Sequence, residues 1–463
     1  MRDLKLLSDD IYLLLGFLAS IAIFFGFLGA GYTFDTSIVA AVASMCVIWW
    51  ITEPIPIPIT SLVPLAIFPL TGVLTSAEVA GAYGSPLILL LLGGFLLSKA
   101  MEHSGAHRRL ALAMIRLFGA QSLRGLVMGF MFAAAFLSMW ISNTATALML
   151  LPVALAILSG TTDSARVGPP LLLGLAYACS VGGIGTPIGT PPNLVFMQVY
   201  EQHTGESVSF VKWMSWGLPV VFILIPIIAI SLTRGKAIPL SLNLPKVGTW
   251  SSWEKRVMTI FFLTAIAWIT RTEPFGGWSL WLNIPEANDA SVAFLRVIFM
   301  FILPNGEGGR LLDWERASDI PWGVLLLFAG GMCLAKAFEV SGLSEIVGNM
   351  VVSFLDLPLW LLIMIICLGV TFMTETTSNT ASTALLMPIL ASVAITAGLS
   401  LESIMVPAAM TASCAFMLPV ATAPNSIVFG SGMITAVRMA REGFVLNLTG
   451  VIVVSTISYF LLT

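Results

Sequence analysis

Long apolar stretches dominate this sequence and constrain its fold more than any other feature. The first runs from Ile11 to Gly31, close to the roughly 20 apolar residues that a helix needs to cross a bilayer. A signal peptide would have a shorter apolar core. Hydrophobic residues make up 58% of the chain and charged residues only 10%, which leaves too little polar surface for a soluble domain. The sequence therefore predicts an all-α, polytopic membrane protein.

Two apolar regions, Gly125–Ser159 and Leu357–Thr396, differ from the rest because a short polar cluster interrupts each of them midway. Each would span roughly 50 to 60 Å as a helix, against a hydrocarbon core of about 30 Å. That length exceeds one crossing and is short for two, so each region is predicted to form a re-entrant hairpin. The other candidate spans are Ser37–Ile51, Ile57–Val73, Pro86–Met101, Pro169–Pro187, Leu218–Leu232, Met258–Ile269, Ala290–Leu303, Pro321–Phe338, Ile404–Leu418 and Gly443–Leu462. The prediction is 11 transmembrane helices plus two re-entrant hairpins.

The distribution of basic residues agrees with this count. With the N-terminus inside, the predicted outer segments hold little beyond Lys212 and Arg271, and the other lysines and arginines fall almost entirely in predicted cytoplasmic segments. This asymmetry follows the positive-inside rule. It predicts an inner-membrane protein with a cytoplasmic N-terminus and a C-terminus outside. The net charge of −3 gives no basic surface for nucleic acid.

Four motifs occur twice, in the same order, in the two halves of the chain. They are Gly93–Gly105 and Gly330–Gly342, Thr52–Pro54 and Thr272–Pro274, Ser142–Thr144 and Ser378–Thr380, and Thr190–Asn193 and Thr422–Asn425. In the predicted topology each motif and its copy enter the membrane from opposite faces, so the repeats are inverted. Inverted repeats with broken helices are typical of secondary transporters that bind substrate near the bilayer midplane.

The Ser-Asn-Thr motifs lie where the hairpins are predicted to turn, and second half-helices are predicted to begin near Ala145 and Ala381. Serine, threonine and asparagine cap helix N-termini, and the free N–H groups there attract anions. In the Thr-Pro motifs the threonine is the predicted cap and proline fits the first helical position. These helices are therefore predicted to unwind in the membrane and restart, which frees carbonyl groups to bind a sodium ion.

Basic residues are rare around these motifs. Arg166 is the one lysine or arginine from Gly125 to Glu201, and there is none from Leu357 to Val437. A bound anion would thus meet amides, hydroxyls, helix N-termini and bound cations, and a site that needs a cation couples the two ligands thermodynamically. The sequence has no P-loop motif for ATP, so energy from an ion gradient is favoured.

Several alternative interpretations remain open for individual residues. A single Ser-Asn-Thr cluster could be a helix kink or an interhelical hydrogen-bonding group. Glu375 is either a functional intramembrane carboxylate or a hydrogen-bonded structural acid, the interpretation favoured because Met139 occupies the equivalent position. Lys99 and Lys336 lie at helix ends, where snorkelling explains them. No histidine lies at mid-membrane depth to support an intramembrane enzyme, and a channel would be excluded by saturable flux.

Together the paired motifs resemble those of the divalent anion/sodium symporters, which include bacterial sodium–dicarboxylate transporters and animal dicarboxylate, citrate and sulfate carriers. The resemblance covers essentially the whole chain. It implies a homodimeric elevator-type transporter of small dianions. Residues 1–120 and 258–355 would be scaffold parts, 121–233 and 356–463 transport parts with one hairpin and one broken helix each, and 234–257 a cytoplasmic linker.

The resemblance also implies the roles of individual residues. One sodium site would comprise Ser138, Ser142, Asn143 and the carbonyl region of Gly189, and a second Thr374, Thr377, Asn379 and Ala421. The substrate would meet Asn143, Thr144, Thr190, Ser378, Asn379, Thr380 and Thr422. Ala423 departs from the proline often found at its position, which puts substrate identity in doubt. The expected function is sodium-coupled import of C4-dicarboxylates such as succinate, malate or fumarate, with a dicarboxylate exchanger or a sulfate or citrate carrier as the alternative.

Overall fold

The computed structural model of this chain describes residues 2–118, 122–161, 163–234, 248–351 and 357–463. Within these ranges the regular structure is helical, and the β-type pairing is one isolated antiparallel bridge between Pro304 and Arg310. The predicted all-α class is confirmed. Most of the predicted linker, residues 235–247, lies outside the described residues, and its last residues, from Ser252, already belong to a helix.

The described helices fall into two sets, one in each half of the chain. The first set comprises α1 (Arg2–Gly29), α2 (Phe34–Thr52), α3 (Ile57–Thr60), α4 (Val63–Thr71), α5 (Ser76–Tyr83), α6 (Pro86–Ser104), α7 (Ala106–Phe118), α8 (Leu123–Ser138), α9 (Asn143–Ser159), α10 (Ser164–Gly183), α11 (Pro191–Thr204) and α12 (Phe210–Leu232). The second set comprises α13 (Ser252–Ile269), α14 (Gly277–Trp281), α15 (Asp289–Ile302), α16 (Trp314–Ala317), α17 (Trp322–Val340), α18 (Leu343–Val351), α19 (Leu359–Thr374), α20 (Asn379–Thr396), α21 (Leu401–Thr411), α22 (Ala423–Phe429) and α23 (Ala436–Leu462).

Seven helical segments of the described chain are long and apolar enough to cross a membrane. They are Asp9–Gly29, Phe34–Thr52, Ser76–Ser104, Phe210–Leu232, Trp322–Val340, Asn379–Thr396 and Ala436–Leu462. Five predicted spans are not among these segments, namely Ile57–Val73, Pro169–Pro187, Met258–Ile269, Ala290–Leu303 and Ile404–Leu418. Of the helices at these positions, α13 has three charged residues in its first five and α15 has only 14 residues. The structure thus has several membrane-length helices, as predicted for a polytopic protein.

Helices α6 and α17, which carry the Gly-Gly repeat motif, run in opposite directions. The end of α6 contacts the start of α17, since Lys99 Nζ lies 2.9 Å from Asp319 Oδ2. The start of α6 contacts the second half of α17, since Ser85 Oγ lies 3.6 Å from Met332 Sδ. This antiparallel pairing of equivalent helices is the arrangement that inverted repeats produce.

The broken helices form the centre of the molecule. In α10 every residue from Val167 to Gly183 is buried, whereas only 6% of the apolar span of α1 is buried. All five cysteines are free and buried, as predicted for small apolar side chains in a membrane protein. The motifs that interrupt α10–α11 and α21–α22 are therefore enclosed by protein rather than by lipid, which is where irregular backbone is tolerated at membrane depth.

Candidate functional site

The two Ser-Asn-Thr motifs each begin a helix at the turn of a helix–turn–helix unit. Helix α9 begins at Asn143, and the Ser142 hydroxyl, at its N-cap, accepts a hydrogen bond of 3.2 Å from the Ala145 N–H group. Helix α20 begins at Asn379 after Ser378, whose side chain makes no capping hydrogen bond. The predicted capping role is confirmed for Ser142 and is wrong for the Ser378 side chain, although Ser378 does occupy the N-cap position.

Both broken helices restart at their Thr-Pro motif, as predicted. Helix α10 ends at Gly183 and α11 begins at Pro191, with Thr190 at the N-cap. After the second break α22 begins at Ala423, and the Thr422 hydroxyl accepts a hydrogen bond of 3.2 Å from the Asn425 N–H group. The unwound residues between the two halves of each helix leave backbone groups free to face a ligand.

The asparagines of the Thr-Pro motifs hold these unwound segments in place. Asn193 Nδ2 donates to the carbonyls of Gly183 and Thr186, at 2.9 and 2.7 Å. Asn425 Nδ2 makes the equivalent pair of bonds, at 3.1 and 3.0 Å, to Ala415 and Leu418. Both side chains are completely buried. Sequence reasoning assigned them no role, although their recurrence in the repeated motif was a signal that could have found them.

Oxygen atoms converge around Asn143 at the first turn. The Ser138 hydroxyl lies 2.6 Å from Asn143 Oδ1 and donates to the Cys179 carbonyl at 2.7 Å. With its amide turned over, Asn143 Nδ2 would instead lie 3.1 Å from the Cys179 carbonyl oxygen and 3.3 Å from that of Gly189. The amide thus faces the Ser138 hydroxyl and two carbonyl oxygens. One belongs to Cys179 in α10 and the other to Gly189 in the unwound segment. Hydroxyl, amide and unwound carbonyl oxygens are the donor set that sodium sites in transporters use.

The second turn repeats this arrangement. The Thr374 hydroxyl lies 2.6 Å from Asn379 Oδ1 and donates to the Ala412 carbonyl at 3.0 Å. Ala412 follows the last residue of α21, as Cys179 lies near the end of α10. A buried hydroxyl group therefore joins each turn to the first half of a broken helix. At both turns the hydroxyl, amide and carbonyl oxygens are atoms of the kind that bind a small cation.

One cavity of about 710 Å³ brings the two turns and the two helix restarts together. The predicted site residues that line it are Ser142, Asn143, Thr144, Gly189, Thr190, Thr377, Ser378, Asn379, Thr380, Ala421 and Thr422. The two remaining predicted residues, Ser138 and Thr374, are completely buried and contact Asn143 and Asn379, whose side chains line the cavity. The structure therefore collects every predicted site residue at or directly behind a single cavity.

Four charged residues that sequence reasoning did not assign to the site also line this cavity, namely Glu53, Lys99, Glu102 and Asp319. Lys99 Nζ lies 2.9 Å from Asp319 Oδ2 and 3.4 Å from Glu102 Oε2. The hydrogen bond from Lys99 lowers the pKa of the Asp319 carboxyl group. Asp319 is 85% exposed, so the cavity is open to solvent at this end. No sequence signal pointed to Asp319, because its partner lies in the other half of the chain.

Glu375 lies behind the second turn, and both of its carboxylate oxygens are used in hydrogen bonds. It accepts from the N–H groups of Phe416, Met417 and Leu418 at 2.7, 2.9 and 2.9 Å, and from Asn447 Nδ2 at 2.7 Å. Its side chain is buried and does not line the cavity. This geometry agrees with the structural interpretation of Glu375, because the carboxylate satisfies three donors that no helix accommodates.

At the equivalent place in the first half, Met139 replaces Glu375, and the connection is made by another group. The Thr186 hydroxyl donates to the Met139 carbonyl oxygen. The N–H groups of Ile184 and Gly185 bond to carbonyls of the preceding turn of α10. These two N–H groups of the first break are thus bonded to carbonyls of α10 rather than to a carboxylate.

Solved structures with the same general fold are transporters. The YdaH transporter of Alcanivorax borkumensis matches with a TM-score of 0.60 at 14% identity, over 85% of this chain and 87% of that one. MtrF of Neisseria gonorrhoeae, described as one of a class of antimetabolite efflux pumps, matches with a TM-score of 0.60 at 16% identity, over 85% and 84% of the two chains. At this level of identity the likeness concerns the fold alone.

Sequence comparison is more specific. The family model for the sodium:sulfate symporter transmembrane region matches residues 8–461. Two proteins of Staphylococcus aureus, from strains MRSA252 and NCTC 8325, are both named sodium-dependent dicarboxylate transporter SdcS. Each is 38% identical to this chain over 448 residues, which covers 92% of this chain and 85% of the relative. With a match along almost its whole length, this chain belongs to the sodium:sulfate symporter family.

Proposed function

We propose that this protein is a sodium-coupled symporter that imports C4-dicarboxylates such as succinate, malate or fumarate across the cytoplasmic membrane. The observation that carries the proposal is the pair of matching oxygen clusters, at Ser138–Asn143 and Thr374–Asn379, on one open cavity. The name of the SdcS relatives supports both sodium and dicarboxylate as the transported species. The family is one of transporters, so movement of solute rather than catalysis is the activity.

The cavity suits a small dianion. Its volume of about 710 Å³ falls within the range of roughly 300–1,000 Å³ that small-molecule sites occupy. Asn143 and Asn379 begin helices at opposite turns of the cavity, and helix N-termini favour negative charge. We propose that the substrate carboxylates meet these helix starts together with Thr144, Thr190, Ser378, Thr380 and Thr422.

Sodium ions would provide the positive charge that the turns lack. We propose one ion at Ser138, Ser142, Asn143 and Gly189, and a second at Thr374, Thr377, Asn379 and Ala421. The carbonyls of Cys179 and Ala412, which accept from the Ser138 and Thr374 hydroxyls, are further candidate ligands. Because each ion would share an asparagine with the substrate, binding of one ligand would increase the affinity for the other.

The finer architecture is also part of the proposal. It has 11 transmembrane helices and two re-entrant hairpins, a cytoplasmic N-terminus and a C-terminus outside. Transport parts (121–233 and 356–463) move as an elevator against scaffold parts (1–120 and 258–355) within a homodimer. Helices α8, α9 and α19 have 16, 17 and 16 residues, and at 1.5 Å per residue they are shorter than a hydrocarbon core of about 30 Å. This shortness supports a first hairpin that returns before crossing, and in the second hairpin it holds for α19, whereas α20 has 18 residues and is long enough to cross.

Uptake by proteoliposomes tests the function. Labelled succinate should accumulate above its equilibrium level when sodium is outside and potassium inside, and should not accumulate when potassium or choline replaces sodium. Unlabelled malate and fumarate should compete, and sulfate and citrate should not. Uptake that is indifferent to sodium but stimulated by dicarboxylate inside the liposomes would contradict symport and identify an exchanger.

A further inference from the structure

Both copies of the repeated Gly-Gly motif contain a lysine that is followed three residues later by a glutamate. The pairs are Lys99 with Glu102 on α6 and Lys336 with Glu339 on α17. Lys99 lies 3.4 Å from Glu102, and Lys336 lies 3.0 Å from Glu339. The proposed sodium and substrate sites use neither lysine, so the motif still needs a physical explanation.

The two lysines lie at opposite ends of the antiparallel pair α6 and α17. Lys99 contacts Asp319, which precedes the start of α17. Lys336 lies near the other end of α17 and pairs with Glu339 of its own helix. Lys336 thus occupies in the second repeat the position that Lys99 occupies in the first.

Only one of the two lysines faces the cavity in this structure. Lys99 lines it together with both Ser-Asn-Thr turns, and no other lysine, arginine or histidine among the described residues does so. Lys336 is absent from the lining. The cavity is open at the Lys99 end, where Asp319 is 85% exposed. Lys99 therefore lies where a dicarboxylate that enters from this side would come close to its ammonium group.

The contacts of Lys99 leave it able to exchange partners. Its ion pair with Asp319 involves a carboxylate that is almost fully in water, and such pairs contribute little to stability. A substrate carboxylate can therefore replace Asp319 at small cost. Lys99 itself is only 18% exposed, which keeps its ammonium group close to the cavity wall.

From this geometry we propose that Lys99 is a second dicarboxylate-binding position at the mouth of the cavity, and that Lys336 takes the same role when the cavity opens on the opposite side. The inference rests on the proposed function, because it needs an alternating pathway for dicarboxylates. The lysine holds the substrate briefly between solvent and the central site. It therefore changes the rate and the half-saturating concentration of transport and leaves equilibrium affinity at the turns unchanged.

The test measures succinate transport from each side, in right-side-out and inside-out membrane vesicles. Lys99→Gln should raise the half-saturating succinate concentration roughly fivefold, the effect of losing an ion pair at the upper end for exposed sites, and only on the side where Lys99 is accessible. Lys336→Gln should do the same on the opposite side. Lys99→Arg should remain near wild type. Asp319→Asn should lower the half-saturating concentration on the Lys99 side, because it removes the shorter of the two ion pairs of Lys99 and leaves the pair with Glu102.

The dependence of the half-saturating concentration on ionic strength distinguishes substrate binding by Lys99 from a purely structural role. Added choline chloride should raise the half-saturating concentration of the wild type more than that of Lys99→Gln, since salt screens the lysine. Lys212→Gln, which removes a lysine outside the cavity, is the matched control and should behave as wild type. Equal effects of Lys99→Gln and Lys336→Gln on one side, or unchanged kinetics in both, would overturn the inference. Absence of sodium-driven uptake by the wild type would instead refute the proposed function.

Discussion

Replacement of Glu375 by glutamine tests the structural role that its hydrogen bonds indicate. The substitution keeps the size of the side chain and replaces one acceptor oxygen by an NH₂ group. Oε1 bonds to Phe416, Met417 and Asn447, and Oε2 bonds to Leu418 alone. Glutamine can preserve the three-partner group with its remaining oxygen. The NH₂ group of the glutamine then points at the Leu418 N–H group, so that two hydrogen-bond donors face each other.

The magnitude follows from the bonds that are lost. A hydrogen bond to a charged group contributes about 1.5–3 kcal/mol, and a buried donor without an acceptor costs about 1–3 kcal/mol. We therefore expect Glu375→Gln to destabilise the protein by about 2–3 kcal/mol. Glu375→Ala should cost about 3–9 kcal/mol, because the Met417 and Leu418 N–H groups and Asn447 Nδ2 all lose their acceptor. The Phe416 N–H group would keep Asn447 Oδ1 at 3.1 Å.

Thermal unfolding of purified protein in detergent measures the effect. At the average entropy of unfolding per residue, a chain of this length loses about 1 °C in Tm per kcal/mol. Glu375→Gln should thus lower Tm by about 2–3 °C and Glu375→Ala by about 3–9 °C. Glu339→Gln makes the same chemical change at an exposed ion pair and should shift Tm by less than about 1 °C. If Glu375→Gln unfolds at the same temperature as the wild type, the carboxylate does not hold the second helix break.

Other substitutions and ligands give further tests. Asn143→Ala and Asn379→Ala should each abolish succinate uptake while leaving expression intact, because each removes an amide that faces both the cavity and a hydroxyl at one turn; normal uptake in both variants would refute the site. A thermal-shift panel should show that dicarboxylates raise Tm more in sodium than in potassium, since ligands that bind the folded state stabilise it; equal shifts in both salts would contradict sodium coupling. Gly182→Ala should destabilise the protein by about 1–3 kcal/mol, because its Cβ would lie 2.4 Å from the Ala135 carbonyl oxygen. Gly26→Ala, with no atom within 4 Å of its Cβ, is the control, and equal Tm values for the two variants would contradict the close packing of α8 and α10.

The sequence predicted the helix starts around the cavity more accurately than it predicted the surrounding contacts. The Ser-Asn-Thr and Thr-Pro motifs are local signals, because capping residues and proline determine where a helix starts within a few positions. The helices begin at Asn143 and Asn379, two residues before the predicted Ala145 and Ala381. The repeat then identified equivalent residues in the two halves, and the structure brings them to one cavity.

Contacts between distant parts of the chain could not be read in the same way. Lys99 and Asp319 are 220 residues apart, and nothing in the local pattern of either residue specifies the other. Glu375 and Asn447 are 72 residues apart. The hydrophobic pattern placed helices at Met258–Ile269 and Ala290–Leu303, where the structure has α13 and α15, but apolar composition alone does not distinguish a crossing helix from a helix packed on its neighbours.

The bonds between each turn and its helix break limit how the cavity can change the side to which it opens. Thr186 joins the first break to Met139, and Glu375 joins the second break to its turn through three N–H groups. Hinging the second turn away by itself would leave the Met417 and Leu418 N–H groups without acceptors, at about 1–3 kcal/mol each. Displacing hairpin and broken helix together as one rigid body breaks none of these bonds. A local gate at the second turn is therefore the costlier motion, whereas collective displacement keeps intact the oxygen clusters at Ser138–Asn143 and Thr374–Asn379.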